Sequence, residues 1–133
     1  MKKPEESKLK WSDRGLFQSP ICFALCRSQK KFDKELKRLG IRKKDRPDFL
    51  LSDRADATAH FITANNGSEI VIICLGDVKD RSLTAIYGLL VHEAVHIWQH
   101  VKELIGESDP SAEFEAYSIQ NLAQKLMEDY TET

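Results

Sequence analysis

The segment from Ser82 to Ile105 constrains this chain more than any other. Leu83, Leu90, Ala94, Ile97, Val101 and Leu104 recur at helical spacing, and Val91, Val95 and Trp98 form a second apolar stripe beside the first. A helix apolar over so much of its circumference cannot lie on a surface and must be buried between layers. The rest of the chain has to supply that cover. With 133 residues it is long enough for one domain. A chain of this length buries roughly two-thirds of its unfolded surface, so it folds without disulfides or a structural metal. Hydrophobic residues at 41% and charged residues at 31% match an ordinary globular protein. No apolar run approaches the ~18–20 residues of a membrane-spanning helix, so no membrane role is expected. The first ten residues, MKKPEESKLK, lack the apolar stretch of a secretory signal.

The elements before that helix read as follows. Residues 1–18 are polar and basic, which predicts a flexible lead-in. Ser19-Pro20 offers an N-cap with proline at the first helical position. Leu25, Phe32, Leu36 and Leu39 then follow at helical steps to a stop at Gly40, which predicts a helix over 20–39. Residues 49–52 and 58–64 are strand candidates. Asn65-Asn66-Gly67-Ser68 is a hairpin signal, and 69–75 is the returning strand, apolar on both faces. After the long helix, Gly106 and the loop 107–110 lead to a last helix over 111–129. Its apolar stripe is Ala112, Ala116, Ile119, Ala123, Leu126 and Tyr130. The expected architecture is α+β: an N-terminal helix, a three-stranded mainly antiparallel sheet, the long helix and a packed C-terminal helix.

The net charge of −1 conceals an uneven distribution. Residues 1–46 carry 15 Lys and Arg against 6 Asp and Glu, a balance of +9, so the remaining residues carry −10. Such asymmetry can mark a nucleic acid or another acidic partner, but no aromatic residues interleave with the basic run at 42–46, so a solvated helix face is the favoured explanation. Cys22, Cys26 and Cys74 cannot all pair and form no CxxC. They read as reduced, buried small hydrophobes of a cytoplasmic protein.

Within the long helix lies His92-Glu93-Ala94-Val95-His96, an HExxH motif. Two imidazoles at i and i+4 point the same way from one rigid element, as a zinc site requires. The glutamate one residue after the first His can reach the metal's open position and take a proton from water there. A shuffled chain of this composition would show the motif with a probability of about one per cent. His92 and His96 also lie about 200° around the helix from the Leu90/Ala94 stripe, away from the main packing surface. His100 drifts too far round to share a metal with them and reads as a rim residue. A catalytic zinc needs one more protein ligand and one open site. The next helix offers Glu113, which borders the Ala112/Ala116 stripe, and Glu115, about 200° further round and expected to face water.

HEAVHIWQ, followed seventeen residues after His96 by Glu113-Phe114-Glu115-Ala116-Tyr117, resembles the zincin metallopeptidases of the gluzincin type. In that group the third ligand opens an ExxA(D/N) pattern, matched here by Glu113 through Ala116. Metzincins are excluded, because Lys102 stands where their third His would be. The wording is most similar to small zincins of phage and bacterial genomes. A phage-encoded chain would act in the host cytoplasm. The resemblance covers roughly 58–130 and implies one Zn²⁺ on His92, His96 and Glu113, peptide-bond hydrolysis with Glu93 as general base, and a peptide or protein substrate held extended along strand 58–64 or 69–75. One position departs from the pattern. Tyr117 stands where Asp or Asn usually orients a ligand histidine, so it is the candidate for that task or for steadying an oxyanion. The alternative is a zinc-binding but catalytically inert interaction module whose basic N-terminal half contacts an acidic partner or nucleic acid.

Overall fold

The segment expected to open as a helix at residue 20 is a strand, and that one change sets the architecture. The computed structural model describes residues 7–14 and 18–132. Their order is β1 (Trp11–Arg14), β2 (Gln18–Cys26), α1 (Gln29–Arg38), a 3-10 turn (Lys43–Asp45), β3 (Ala57–Thr63), β4 (Glu69–Leu75), α2 (Leu83–Leu104) and α3 (Ala112–Glu132). The four strands form one sheet in the order β1-β2-β4-β3. β2 runs parallel to β4, while β1–β2 and β3–β4 are antiparallel. The sheet is therefore mixed and four-stranded rather than three-stranded, with two of its three pairings antiparallel as expected.

β2 explains the error. Ile21, Phe23 and Leu25 point to the face covered by α2 and α3, and Ala24 and Cys26 point to the face covered by α1. A parallel strand covered on both faces reads as a continuous apolar run, without the alternation that betrays a half-exposed strand. The apparent helical stripe joined Leu25 on one side of the sheet to Phe32 and Leu36 on the other. The helix α1 starts only at Gln29, where the Ser28 hydroxyl accepts from the Lys31 N–H at 3.1 Å. Such a cap is worth about 1 kcal/mol.

Two further expectations change. Residues 49–52 form bends, not a strand: Phe49 and Leu50 pack on the α1 side, and the Leu51 N–H donates to Thr58 Oγ1. The lead-in is held where it is described. Leu9 is buried, and the Ser7 hydroxyl and the Trp11 indole both donate to the carboxylate of Glu35 on α1. Residues 1–6 and 15–17 of that segment lie outside the described residues.

The hairpin β3–β4, the long helix and the last helix match their expected places. Cys26 and Cys74, directly opposite each other in the β2–β4 register, are both buried, and Cys22 is half-buried. Among the described residues no helix is long and apolar enough to cross a membrane.

Candidate metal centre

The site begins with the orientation of α2. Leu90, Ala94, Ile97 and Val101 are buried against the sheet, as the apolar stripe requires. Ser82 caps the helix by accepting from the Ala85 N–H. At the other end Gly106, at φ +74°, lets the chain turn back on the Glu103 and Lys102 carbonyls. The packing leaves His92 and His96 together on the exposed side.

The two rings meet edge to face, with Nε2 of His92 and Nε2 of His96 3.1 Å apart. Gln99 Oε1 lies 3.1 Å from Nδ1 of His96. An acceptor there places the ring hydrogen on Nδ1 and turns the Nε2 lone pair toward His92. Two nitrogens aimed at one point need a shared proton or a shared cation between them. Two Zn–N bonds of about 2.0–2.1 Å at a tetrahedral angle set their nitrogens roughly 3.3 Å apart. The pair fits that ion.

Glu93 is only 6% exposed. Burial pushes its pKa above the usual carboxylate value, and the neighbouring His92 and His96 pull it back down. A carboxylate desolvated yet beside two imidazoles has the setting of a general base.

Beyond Glu93 the helix approaches the sheet edge. β3 is an edge strand, and Phe61 on it stacks against His100 with centroids 4.6 Å apart. His100 Nε2 also lies 3.8 Å from the Glu69 carboxylate. This histidine ties α2 to the β3–β4 hairpin. His60 is a core residue on the opposite sheet face, stacked on Phe32 with Nε2 2.9 Å from the Phe49 carbonyl.

The residues expected from α3 lie elsewhere. Glu113 and Tyr117 are exposed, Tyr117 at 58%. Ala112 and Ala116 are exposed too, so they do not form the packing stripe that was expected of them. The stripe runs instead through Phe114, Ile119, Leu122, Ala123, Leu126 and Tyr130. Glu115, expected to face water, turns inward and accepts from the Trp98 indole N–H at 2.8 Å, with Lys102 Nζ 3.7 Å away. Ile119, Ala123, Leu126 and Tyr130 pack as expected, so only the first turn of the helix departs, where a buried indole N–H needs an acceptor and Glu115 supplies it. Among the described residues no three His, Cys, Asp or Glu side chains come together as a metal site. The structure thus joins His92 and His96, sets Glu93 beside them, and leaves Glu113 and Tyr117 outside.

Sequence reasoning missed Gln99. Its signal was present, three residues after His96 and therefore on the same helix edge, but Tyr117 drew attention as the orienting partner. No family model matches the chain, nor does any curated protein or solved structure.

Proposed function

We propose that the protein is a zinc-dependent peptide hydrolase with a zincin-like site, using His92 and His96 as ligands from α2 and Glu113 as the third. The observation that carries this is the convergence of two imidazole nitrogens at 3.1 Å on a helix whose intervening glutamate is buried. A zinc ion held there supplies a Lewis acid for a peptide carbonyl and acidifies water toward neutral pH. The chain's own residues do the rest. Glu93 takes the proton from the attacking water and returns it to the leaving amide nitrogen. Gln99 holds His96 in the tautomer that offers Nε2. The free edge of β3 offers backbone donors and acceptors to an extended substrate. Glu115 is already engaged by Trp98 and Lys102, which favours Glu113 as the remaining carboxylate.

The test uses the full chain, reconstituted with zinc and assayed on an unstructured polypeptide. We expect one zinc per chain, lost in His92→Ala and His96→Ala. Glu93→Gln should retain zinc and lose activity by about 10²–10⁴-fold. Absence of zinc after reconstitution, or a Glu93→Gln protein that cleaves as well as the parent, would overturn the assignment. The exposure of Glu113 and Tyr117 favours one second reading, a metal-binding interaction module without hydrolysis. Its signature is stoichiometric zinc with no cleavage by the parent.

A further inference from the structure

We infer that the exposed face of α1 and the 3-10 turn after it is a docking surface for the phosphate backbone of a nucleic acid, bound without regard to sequence. This is independent of the zinc chemistry, because α1 covers the opposite face of the sheet from α2.

The first observation is placement. Lys30, Lys34 and Lys37 recur at i, i+4 and i+7, so their ammonium groups form one row along the helix with Lys31 beside it. Beyond Gly40 the row continues into Lys43 and Lys44. All six lysines are exposed, and among the described residues none of their ammonium groups has an ion-pair or hydrogen-bond partner. The acids nearby are otherwise engaged. Glu35 is buried and holds Arg38, Asp33 accepts from Gln29, and Asp45 pairs with Arg42.

The second observation is that this arrangement does not serve folding. The first turn of α1 holds Lys30 and Lys31 and no acid, although a helix N-terminus favours negative charge by about 0.3–1 kcal/mol. Lysines three and four apart repel one another as well. Both penalties fall away when anions neutralise the row.

The third observation selects the partner. No large hydrophobic residue is exposed between residues 27 and 46. A protein partner draws its affinity from a few aromatic or arginine anchors seated in pockets; this face exposes no aromatic side chain, and its arginines Arg38 and Arg42 are already paired with Glu35 and Asp45. A phosphate backbone needs only spaced cations, and contacts made to phosphates alone carry no sequence information. The acidic α2 and α3 lie across the sheet, so a polyanion approaches from the α1 side alone.

The test is fluorescence anisotropy of a labelled 20-base-pair duplex with the full chain across 50–200 mM NaCl. Neutralising four to six phosphates gives a log–log salt slope of about −4 to −5. Combined Lys30→Glu, Lys34→Glu and Lys37→Glu should weaken binding at least about tenfold and flatten the slope, with an unchanged circular dichroism spectrum. The milder Lys→Gln set at the same positions should act in the same direction. Glu103→Gln with Glu107→Gln, in and just after the end of α2, should leave the duplex affinity within about twofold. Scrambled duplex sequences should bind equally. The inference is overturned if no duplex binds at 50 mM salt, or if both lysine sets bind like the parent. It is also overturned if polyglutamate binds as tightly as DNA, or if the salt-sensitive contact is self-association in sedimentation. Either outcome would give the face to an acidic protein surface.

Discussion

Two carboxylates are buried on α2 and α3, Glu93 and Asp129, and their neighbours give them opposite meanings. Glu93 lies beside two imidazoles that can share its charge. Asp129, 2% exposed, has neither oxygen in a hydrogen bond, and its nearest cation, Lys10, is 3.9 Å away and already bonded to Glu132. Burial raises the Asp129 pKa; Lys125 and Lys10 lower it less, and Glu128 and Glu132 raise it further. The native state therefore holds this proton to higher pH than the unfolded chain does. Its contribution to stability is complete below the unfolded pKa, declines as pH rises through the interval up to the folded pKa, and stays lost above it. Asp129→Asn should remove that decline. Urea unfolding at pH 7 should show the variant more stable by about 1 kcal/mol, and the difference should shrink as pH falls toward the unfolded pKa. A variant less stable at pH 7 would mean that the ionised carboxylate has a compensating partner. A second residue-scale expectation concerns Gln99. Gln99→Ala should weaken zinc affinity by about 10–100-fold while Tyr117→Phe leaves it unchanged, measured by chelator competition. The reverse order would restore Tyr117 as the orienting group.

Between elements, the Trp98–Glu115 bond ties the first turn of α3 to α2. Trp98 is buried against Phe114, with centroids 5.5 Å apart, and its N–H has one acceptor. Glu115→Ala strands a buried donor, which should cost about 1–3 kcal/mol. Trp98→Phe removes the donor and part of the packing. In a double-mutant cycle the pair should show a coupling of about 1 kcal/mol or more by denaturant unfolding, and strict additivity would show that packing alone fixes the helix. The same bond explains which parts of the site were legible in the sequence. His92, Glu93 and His96 were legible because helical geometry is local: once α2 is a helix, four residues bring the rings together. The inward side of α3's first turn was not, because it depends on where a distant indole finds its acceptor. Ala112 and Ala116 looked like a packing stripe only so long as Trp98 was counted as simple apolar surface. β2 was illegible for a related reason. Its apolarity on both faces comes from its place between β1 and β4, and a short run of that kind does not distinguish strand from helix.

Across the whole molecule the sheet separates the two proposed sites as it divides charge. The basic α1 layer lies on one side, and the HExxH helix with the acidic α3 on the other. The charge asymmetry was visible as two halves of a sequence, but only the fold shows that a sheet separates them and that α1 and α2 cover opposite faces. Zinc should then act on the stability of the whole domain, because a ligand that binds only the folded state stabilises all of it. Free zinc at a hundredfold excess over its dissociation constant adds about 2.7 kcal/mol. For a domain of this size that raises Tm by roughly 8–13 °C. The informative quantity is the shift between zinc-loaded and zinc-free protein, measured separately for each variant by calorimetry. His92→Ala or His96→Ala should abolish the shift. Glu115→Ala should lower both melting temperatures through Trp98 and keep most of the shift, since structural loss cancels in the difference. Glu113→Ala should leave the zinc-free melting temperature nearly unchanged, because its side chain is exposed, and should reduce the shift by several degrees if it completes the coordination. A full shift in Glu113→Ala would remove it from the ligand set and leave a two-histidine site that draws its remaining donors from solvent or substrate. A full shift in His92→Ala would go further, because the zinc would then be bound away from the HExxH pair and the hydrolase assignment would fall with it.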